Sequence, residues 1–280
     1  MNTQFAAKKE YADALLEIAR NTEPLLPAKP LNFIKVMEEN RGSIDILQYP
    51  YSFPKDGLDR KNPLAVVLGD SVTAGHFEFA GDPGKIFARL QAGQLGKNDV
   101  ISIMDARQGY VDQFRAMLIG KYGQTCVSVI NSGLAGDVIL SMEKRLDRDV
   151  IRYQPDLVIV NASLNWPKQC RGTETYKESL LRTVQRLKTE TDADIILMTP
   201  NMVMPSPPDM DNPLSALADR VNVIREAAEK ENLCLADTYR VWERYAQKGF
   251  PVSELLANGV NHPCAEGHTA CAITLMKLFL

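Results

Sequence analysis

At 280 residues, with 45% hydrophobic and 24% charged residues, the chain is long enough for one large α/β domain and ordinary for a globular protein. A formal net charge of -3 leaves no basic footprint and argues against a nucleic-acid partner. The first ten residues hold no apolar core of signal-peptide type, and no stretch is apolar for long enough to span a bilayer, so the expected location is the cytoplasm.

Residues 1–60 do not read as part of a sheet. Tyr11, Leu15 and Ala19, with Leu16 and Ile18 near the same stripe, predict a short amphipathic helix. Pro24, Pro27 and Pro30 then break the chain, and Ile44–Leu47 reads as a short strand before the Pro50–Pro54 loop. We read 1–60 as an accessory segment packed on a main domain of residues 61–280. Contact between copies of the chain in a homo-oligomer is one role open to it.

From residue 62 the pattern becomes regular. Leu64–Gly69 is an apolar run of strand length that ends abruptly in Gly69-Asp70-Ser71, the signature of a buried parallel strand. Helices follow near 83–93 and 108–122, then a strand over Cys126–Asn131, a helix over 138–148 and a strand over Asp156–Asn161. Tyr176, Leu180, Leu181, Val184 and Leu187 mark another helix, followed by a strand at Ile195–Met198. Pro213, with Asn212 as its cap, opens a helix whose stripe is Leu214, Leu217, Val221, Ile224 and Ala228. A short strand at 233–236 and C-terminal helices complete the run. The proline cluster Pro200–Pro213 reads as a stiff loop beside the crevice. Strands alternating with helices of this length imply a three-layer α/β/α sandwich with a parallel sheet, of flavodoxin-like type.

In such sheets ligands bind beyond the carboxyl ends of the strands, which places Ser71 where chemistry is expected. Asp and Ser also start helices, so Asp70-Ser71 alone carries little weight. Acyl transfer by a serine needs a base and oxyanion donors. Of the three histidines, His76 follows Ser71 too closely to be an obvious partner, and His268 reads as structural at a helix start. His262 precedes Pro263, which holds its backbone extended just before the last helix, where a base could reach Ser71. The five cysteines (Cys126, Cys170, Cys234, Cys264, Cys271) are odd in number and lack CxxC spacing, against both a disulfide framework and a structural zinc site. Cys264, beside a histidine, is a weaker alternative nucleophile.

Four separated blocks resemble the SGNH hydrolases, the esterases and lipases also called GDSL hydrolases. They are Gly69-Asp70-Ser71-Val72, Asn131-Ser132-Gly133-Leu134-Ala135-Gly136-Asp137, Ser163-Leu164-Asn165-Trp166, and Asn261-His262-Pro263 with Gly267-His268. The resemblance implies a serine esterase with Ser71 as nucleophile and His262 as base. Gly136, Asn165 and the Ser71 amide would then form the oxyanion hole, and no metal or organic cofactor is implied. The implied substrate is a small-molecule ester, with short acyl or acetyl groups on a small or carbohydrate-like molecule favoured. A thioesterase or lysophospholipase, or an ester-binding protein that has lost hydrolysis, are the alternatives.

Three positions depart from the family pattern. Ser163 stands for a Gly and Trp166 for an Asp, both expected near the crevice. Gly259 stands where the family places an Asp three residues before the base. The His262 ring must then be held by a main-chain carbonyl of the 256–261 loop, the Asn258 amide oxygen, or Glu254. The first is the expectation: Nδ1 about 2.7–3.2 Å from a backbone oxygen, with Nε2 turned to Ser71 Oγ.

Overall fold

Along the central strands successive side chains enter two different cores, which is what burial on both faces of a parallel sheet requires. Ala65, Val67, Leu157, Ile159, Ile196 and Met198 join one apolar cluster. Val66, Leu68, Val158, Val160, Ile195 and Leu197 join the other. The molecule is described from a computed structural model that covers residues 5–41, 62–123, 127–166, 174–204 and 216–279.

In chain order the elements begin α1 (Lys9–Asn21), α2 (Asn32–Arg41), β1 (Leu64–Gly69), α3 (Ser71–Ala74), β2 (His76–Phe79), α4 (Pro83–Gln91) and β3 (Ser102–Asp105). There follow α5 (Tyr110–Tyr122), β4 (Ser128–Gly133), α6 (Ile139–Lys144), α7 (Leu146–Asp149), β5 (Leu157–Asn161) and α8 (Glu174–Glu190). The run closes with β6 (Asp194–Met198), α9 (Leu217–Lys230), β7 (Cys234–Ala236), α10 (Thr238–Gln247) and α11 (Ala265–Met276). The five-stranded sheet has the order β4-β1-β5-β6-β7, and every pairing in it is parallel. Counting only its own strands, the order is 2-1-3-4-5, that of a flavodoxin-like doubly wound sheet. Helices α5 and α11 contribute Phe114, Leu118, Ala272 and Leu275 to one face. Helices α6 and α8 contribute Ile139, Met142, Leu180 and Val184 to the other, which gives the expected three-layer α/β/α sandwich.

The chain leaves β1, pairs on one side as β4, and then crosses to the other side as β5. The connections diverge at β1, and its carboxyl end is the topological switch point at which open α/β sheets bind ligands. Ser71 is the first residue of the helix that begins there.

Several differences from the expected elements have physical reasons. The strand expected at Cys126–Asn131 is Ser128–Gly133, two residues later; Cys126 lies outside the described residues. The helix expected over 138–148 divides into α6 and α7 at Arg145, which is 8% exposed because its guanidinium turns inward. The pair β2–β3 is an antiparallel ribbon outside the main sheet that the reading of the chain did not anticipate. Its segment His76-Phe77-Glu78-Phe79 alternates with the period of a strand, but four residues with two ionisable ones give a weak signal. Helix α2 was not anticipated either, although Phe33 and Met37 are fully buried in the core. Helix α1 bears out the predicted stripe: Leu15, Ile18 and Ala19 pack with Val241, Trp242 and Tyr245 of α10. Ile44–Leu47, Asn212, Pro213 and most of the Pro200–Pro213 cluster lie outside the described residues.

Candidate active site

The turn from β1 into α3 is tight enough to leave no room for a side chain at Gly69. A Cβ on Gly69 would sit 1.9 Å from Thr73 Oγ1, so only glycine lets α3 fold back over the strand end. Asp70 caps α3, its Oδ1 accepting the Val72 N–H at 3.0 Å. Desolvation pushes this fully buried carboxyl up to about 7. The helix-cap reading of Asp70-Ser71 is therefore correct for Asp70, and it frees Ser71 to serve as something else. Ser71 is 6% exposed, and its Oγ lies 2.7 Å from His262 Nε2.

His262 reaches this position from the loop before α11. The loop is pinched by an antiparallel bridge between Leu256 and Pro263 and by Ala257 N–H donating to His262 O at 2.9 Å. Val260 O accepts from Met204 N–H at 2.8 Å, and Asn201 Nδ2 donates to Asn261 O at 2.9 Å, which ties the loop to the end of β6. The Phe77 ring lies with its centroid 4.7 Å from that of His262. Burial, with His76 nearby, lowers the His262 imidazole to about 4.

The expected holder of the ring is not the one found. Among the described residues His262 Nδ1 meets neither a backbone oxygen nor a carboxylate; it lies 2.7 Å from Asn258 Nδ2. Asn258 Oδ1 is occupied elsewhere, accepting the N–H groups of Val260 at 3.1 Å and of Asn261 and His262 at 2.9 Å each. Glu254 pairs with Lys8 Nζ at 3.2 Å instead. The expected position of Nε2 is the one observed; the expected acceptor on Nδ1 is replaced by an amide nitrogen. Only the three converging N–H groups reveal which end of the amide faces the ring, and no residue spacing encodes that.

The other candidate residues flank Ser71. Gly136 follows β4 on one side of β1, in the left-handed conformation at φ 76° with open space where a Cβ would be. Asn165 follows β5 on the other side and donates from Nδ2 to Asp137 O at 3.2 Å, so the two flanking loops meet. Ser163 is fully buried, and Trp166 is 7% exposed and packs edge-on against Tyr176 of α8 at 5.6 Å. His76 is buried with its Nε2 3.2 Å from Glu78 Oε2. His268, within α11, accepts the Tyr110 N–H on Nδ1 at 3.3 Å, a structural role. Cys264 caps α11 at the backbone level, and burial pushes its thiol up to about 12, which makes it a poor nucleophile. Among the described residues no group of three or more His, Cys, Asp or Glu is placed to hold a metal ion.

Arg145 organises the strand ends behind the site. Its Nε donates to Asp137 Oδ2 at 2.7 Å. Its Nη1 donates to Ser132 Oγ at 2.7 Å and to Asp149 Oδ2 at 2.8 Å. Its Nη2 donates to Gly69 O at 3.0 Å and to Ser132 O at 2.9 Å. One fork thus ties the end of β1, the end of β4 and the loop that carries Gly136. Arg145→Ala leaves the Asp137 carboxylate without its cation at the buried end, while Asp149 keeps Arg148, and a loss of about 3–5 kcal/mol in chemical unfolding is expected. Arg145→Lys should restore little of it, since one ammonium cannot span these acceptors. A loss under about 1 kcal/mol for Arg145→Ala would show that the clamp contributes little to the fold.

The sequence model of the GDSL-like lipase/acylhydrolase family matches residues 67–270. An acetylxylan esterase of Geobacillus stearothermophilus is 26% identical over 179 residues, which cover 60% of this chain and 80% of that protein. Among solved structures, an α/β hydrolase enzyme from the metagenome of Lake Arreo, Spain, superposes with a TM-score of 0.58 at 23% identity, covering 77% of this chain and 94% of the other. An acetyl xylan esterase structure from Geobacillus stearothermophilus gives 0.57 at 22% identity, covering 78% and 94%. Structures of that esterase include catalytic mutants at an aspartate, a serine and a histidine. The chain belongs to the GDSL-like lipase/acylhydrolase family and is by that membership a carboxylic ester hydrolase.

Proposed function

We propose that this hydrolase is a serine esterase that removes short acyl groups, acetyl above all, from a small or carbohydrate-like molecule. The observation that carries the reading is the 2.7 Å contact between Ser71 Oγ and His262 Nε2 at the switch point of the sheet. Ser71 Oγ attacks the ester carbonyl carbon while His262 Nε2 takes its proton. The same proton passes to the departing alkoxide, leaving an acyl-Ser71. Water, deprotonated by His262, then attacks the acyl carbon and releases the acid.

The negative charge of each tetrahedral intermediate falls on the former carbonyl oxygen. The Ser71 amide, the Gly136 amide and Asn165 Nδ2 are the donors we assign to it, because β4 and β5 flank β1 and bring their following loops to either side of Ser71. Asn165→Ala is expected to lower kcat about 10²-fold with little change in KM, since the amide acts mainly in the transition state. A raised KM with kcat unchanged would make Asn165 a substrate-binding group instead.

The preference for acetyl groups is supported by the acetylxylan esterase relative. A panel of chromogenic acyl esters tests it: kcat/KM should be highest for acetyl and fall with each lengthening of the chain. A rise with chain length would favour a lysophospholipase. One further reading is favoured by the Asn258 amide on His262 Nδ1, namely a protein that binds esters without turning them over. Calorimetric binding of an acetylated oligosaccharide with no release of acetate over hours would establish it.

A further inference from the structure

Asn258 faces two ways, and its hydrogen bonds leave one assignment of protons. Its side-chain oxygen takes three backbone N–H groups, from Val260, Asn261 and His262. An amide nitrogen accepts nothing, so the end of the amide inside this cradle is oxygen. The two hydrogens of Nδ2 are then both spent: one on Asn261 Oδ1 at 2.8 Å, the other on His262 Nδ1 at 2.7 Å. A ring nitrogen that receives an N–H donor must itself be bare. Neutral imidazole carries one proton, which therefore resides on Nε2 and is donated to Ser71 Oγ. In the resting pair Ser71 accepts where a nucleophile should donate.

We propose that Asn258 is a positioning residue that holds His262 in the Nε2-protonated tautomer and thereby throttles the Ser71–His262 pair, in a loop already shaped for a carboxylate. The inference rests on Ser71 and His262 being the reacting pair. Every turnover must first move the ring proton from Nε2 to Nδ1, which breaks the Nδ2–H···Nδ1 bond and sets two N–H groups against each other. Both side chains are secluded, Asn258 at 4% and His262 at 9% exposure, so water offers little help in the exchange.

The remaining geometry fits an aspartate once the Asn261 amide turns to offer its Nδ2 in place of Oδ1. A carboxylate at 258 would keep all three backbone bonds on one oxygen, as carboxylates in such N–H cradles do. Its other oxygen would replace Nδ2 and accept the Nδ1 proton of His262, leaving Nε2 bare toward Ser71. The position lies one residue away from Gly259, where the family pattern places its acid. Where an amide replaces the acid of a complete triad, the wrong tautomer costs about 10⁴ in kcat with the geometry intact. The reverse exchange here should recover a large part of such a factor.

The experiment is Asn258→Asp in the full chain, assayed on a chromogenic acetyl ester beside the parent protein. Two-bond proton–nitrogen NMR of the histidine rings assigns the tautomer in each, and a fluorophosphonate probe reads Ser71 independently of turnover. The expected result is a rise in kcat of about 10²–10⁴-fold with KM nearly unchanged. It is accompanied by His262 protonated on Nε2 in the parent and on Nδ1 in the variant. A purely structural role for Asn258 would not produce a gain. A parent spectrum with the proton on Nδ1 overturns the inference, and that measurement needs no variant to fold. If Ser71 labels in both proteins and the variant shows no gain, the throttle is wrong and the esterase reading stands. If Ser71 labels in neither, both fall together.

Discussion

Ser71→Ala is expected to end acyl-enzyme formation and to lower kcat for a chromogenic acetyl ester about 10³-fold or more. The size of the effect follows from the covalent route: without Oγ there is no acyl intermediate, and only direct attack by water within the remaining oxyanion donors is left. The fold should be indifferent to the change. Asp70, not Ser71, supplies the side-chain cap of α3, and a truncated hydroxyl at this site removes one hydrogen bond, to His262. The thermal midpoint should stay within a few degrees of the parent, and labelling by a fluorophosphonate should vanish. Retained turnover with labelling transferred to Cys264 would assign the nucleophile to the cysteine.

His262→Ala should be nearly as damaging, because the nucleophile and base we propose act as a unit and their losses do not add. The double variant with Ser71→Ala is expected to be no worse than either single one. The base also sets the acid limb of the pH profile. Burial disfavours the imidazolium, so the ring is neutral and able to accept a proton above about 4 and is lost as a base when the pH falls through that value. kcat/KM of the parent should therefore hold level from neutral pH to about 5 and then collapse. A limb already descending near 6.5, the ordinary value for histidine, would mean that the imidazolium is stabilised and the site wetter than its burial implies. The same shift removes stability as the pH falls from 6.5 toward 4, because the unfolded chain then binds the proton more readily than the folded one.

How far the sequence foretold this arrangement differs from one residue to the next. Val66 to Leu68 announce a doubly buried strand because a parallel sheet covered on both faces needs unbroken apolar runs. The parallel pairing follows from alternation of strands and helices, and the place of Ser71 follows from its position just past the end of the first such strand. His262 was findable because three histidines leave few choices, and the structure sets its Nε2 against Ser71 Oγ. Arg145 was not findable. Its position reads as the interior of a helix, and only the convergence of Gly69, Ser132 and Asp137 around it explains why the helix breaks there. Phe77 against the His262 ring was hidden for a similar reason, since β2 pairs with β3 in a short ribbon and carries too few residues to declare itself. The choice at Asn258 was narrowed to a short loop, yet the loop's three N–H groups reversed the amide from the oxygen-first contact that had been an option.

Ser71 and His262 are separated by 191 positions, and that distance has a bearing on biosynthesis. A growing chain presents Ser71, the nucleophile proposed above, just past β1 long before β5 has left the ribosome to flank it, and His262, its proposed base, arrives only with the segment leading into α11. Helix α11 in turn packs on α1, made at the very beginning, and the Leu15 and Ile18 surface is covered by Trp242 and Ala270 from the far end of the chain. A nascent polypeptide therefore carries a serine without a base for most of its synthesis and cannot be acylated efficiently through the His262 route until its two ends have met. The order of translation keeps the proposed Ser71–His262 centre unassembled until the domain that shelters it is complete.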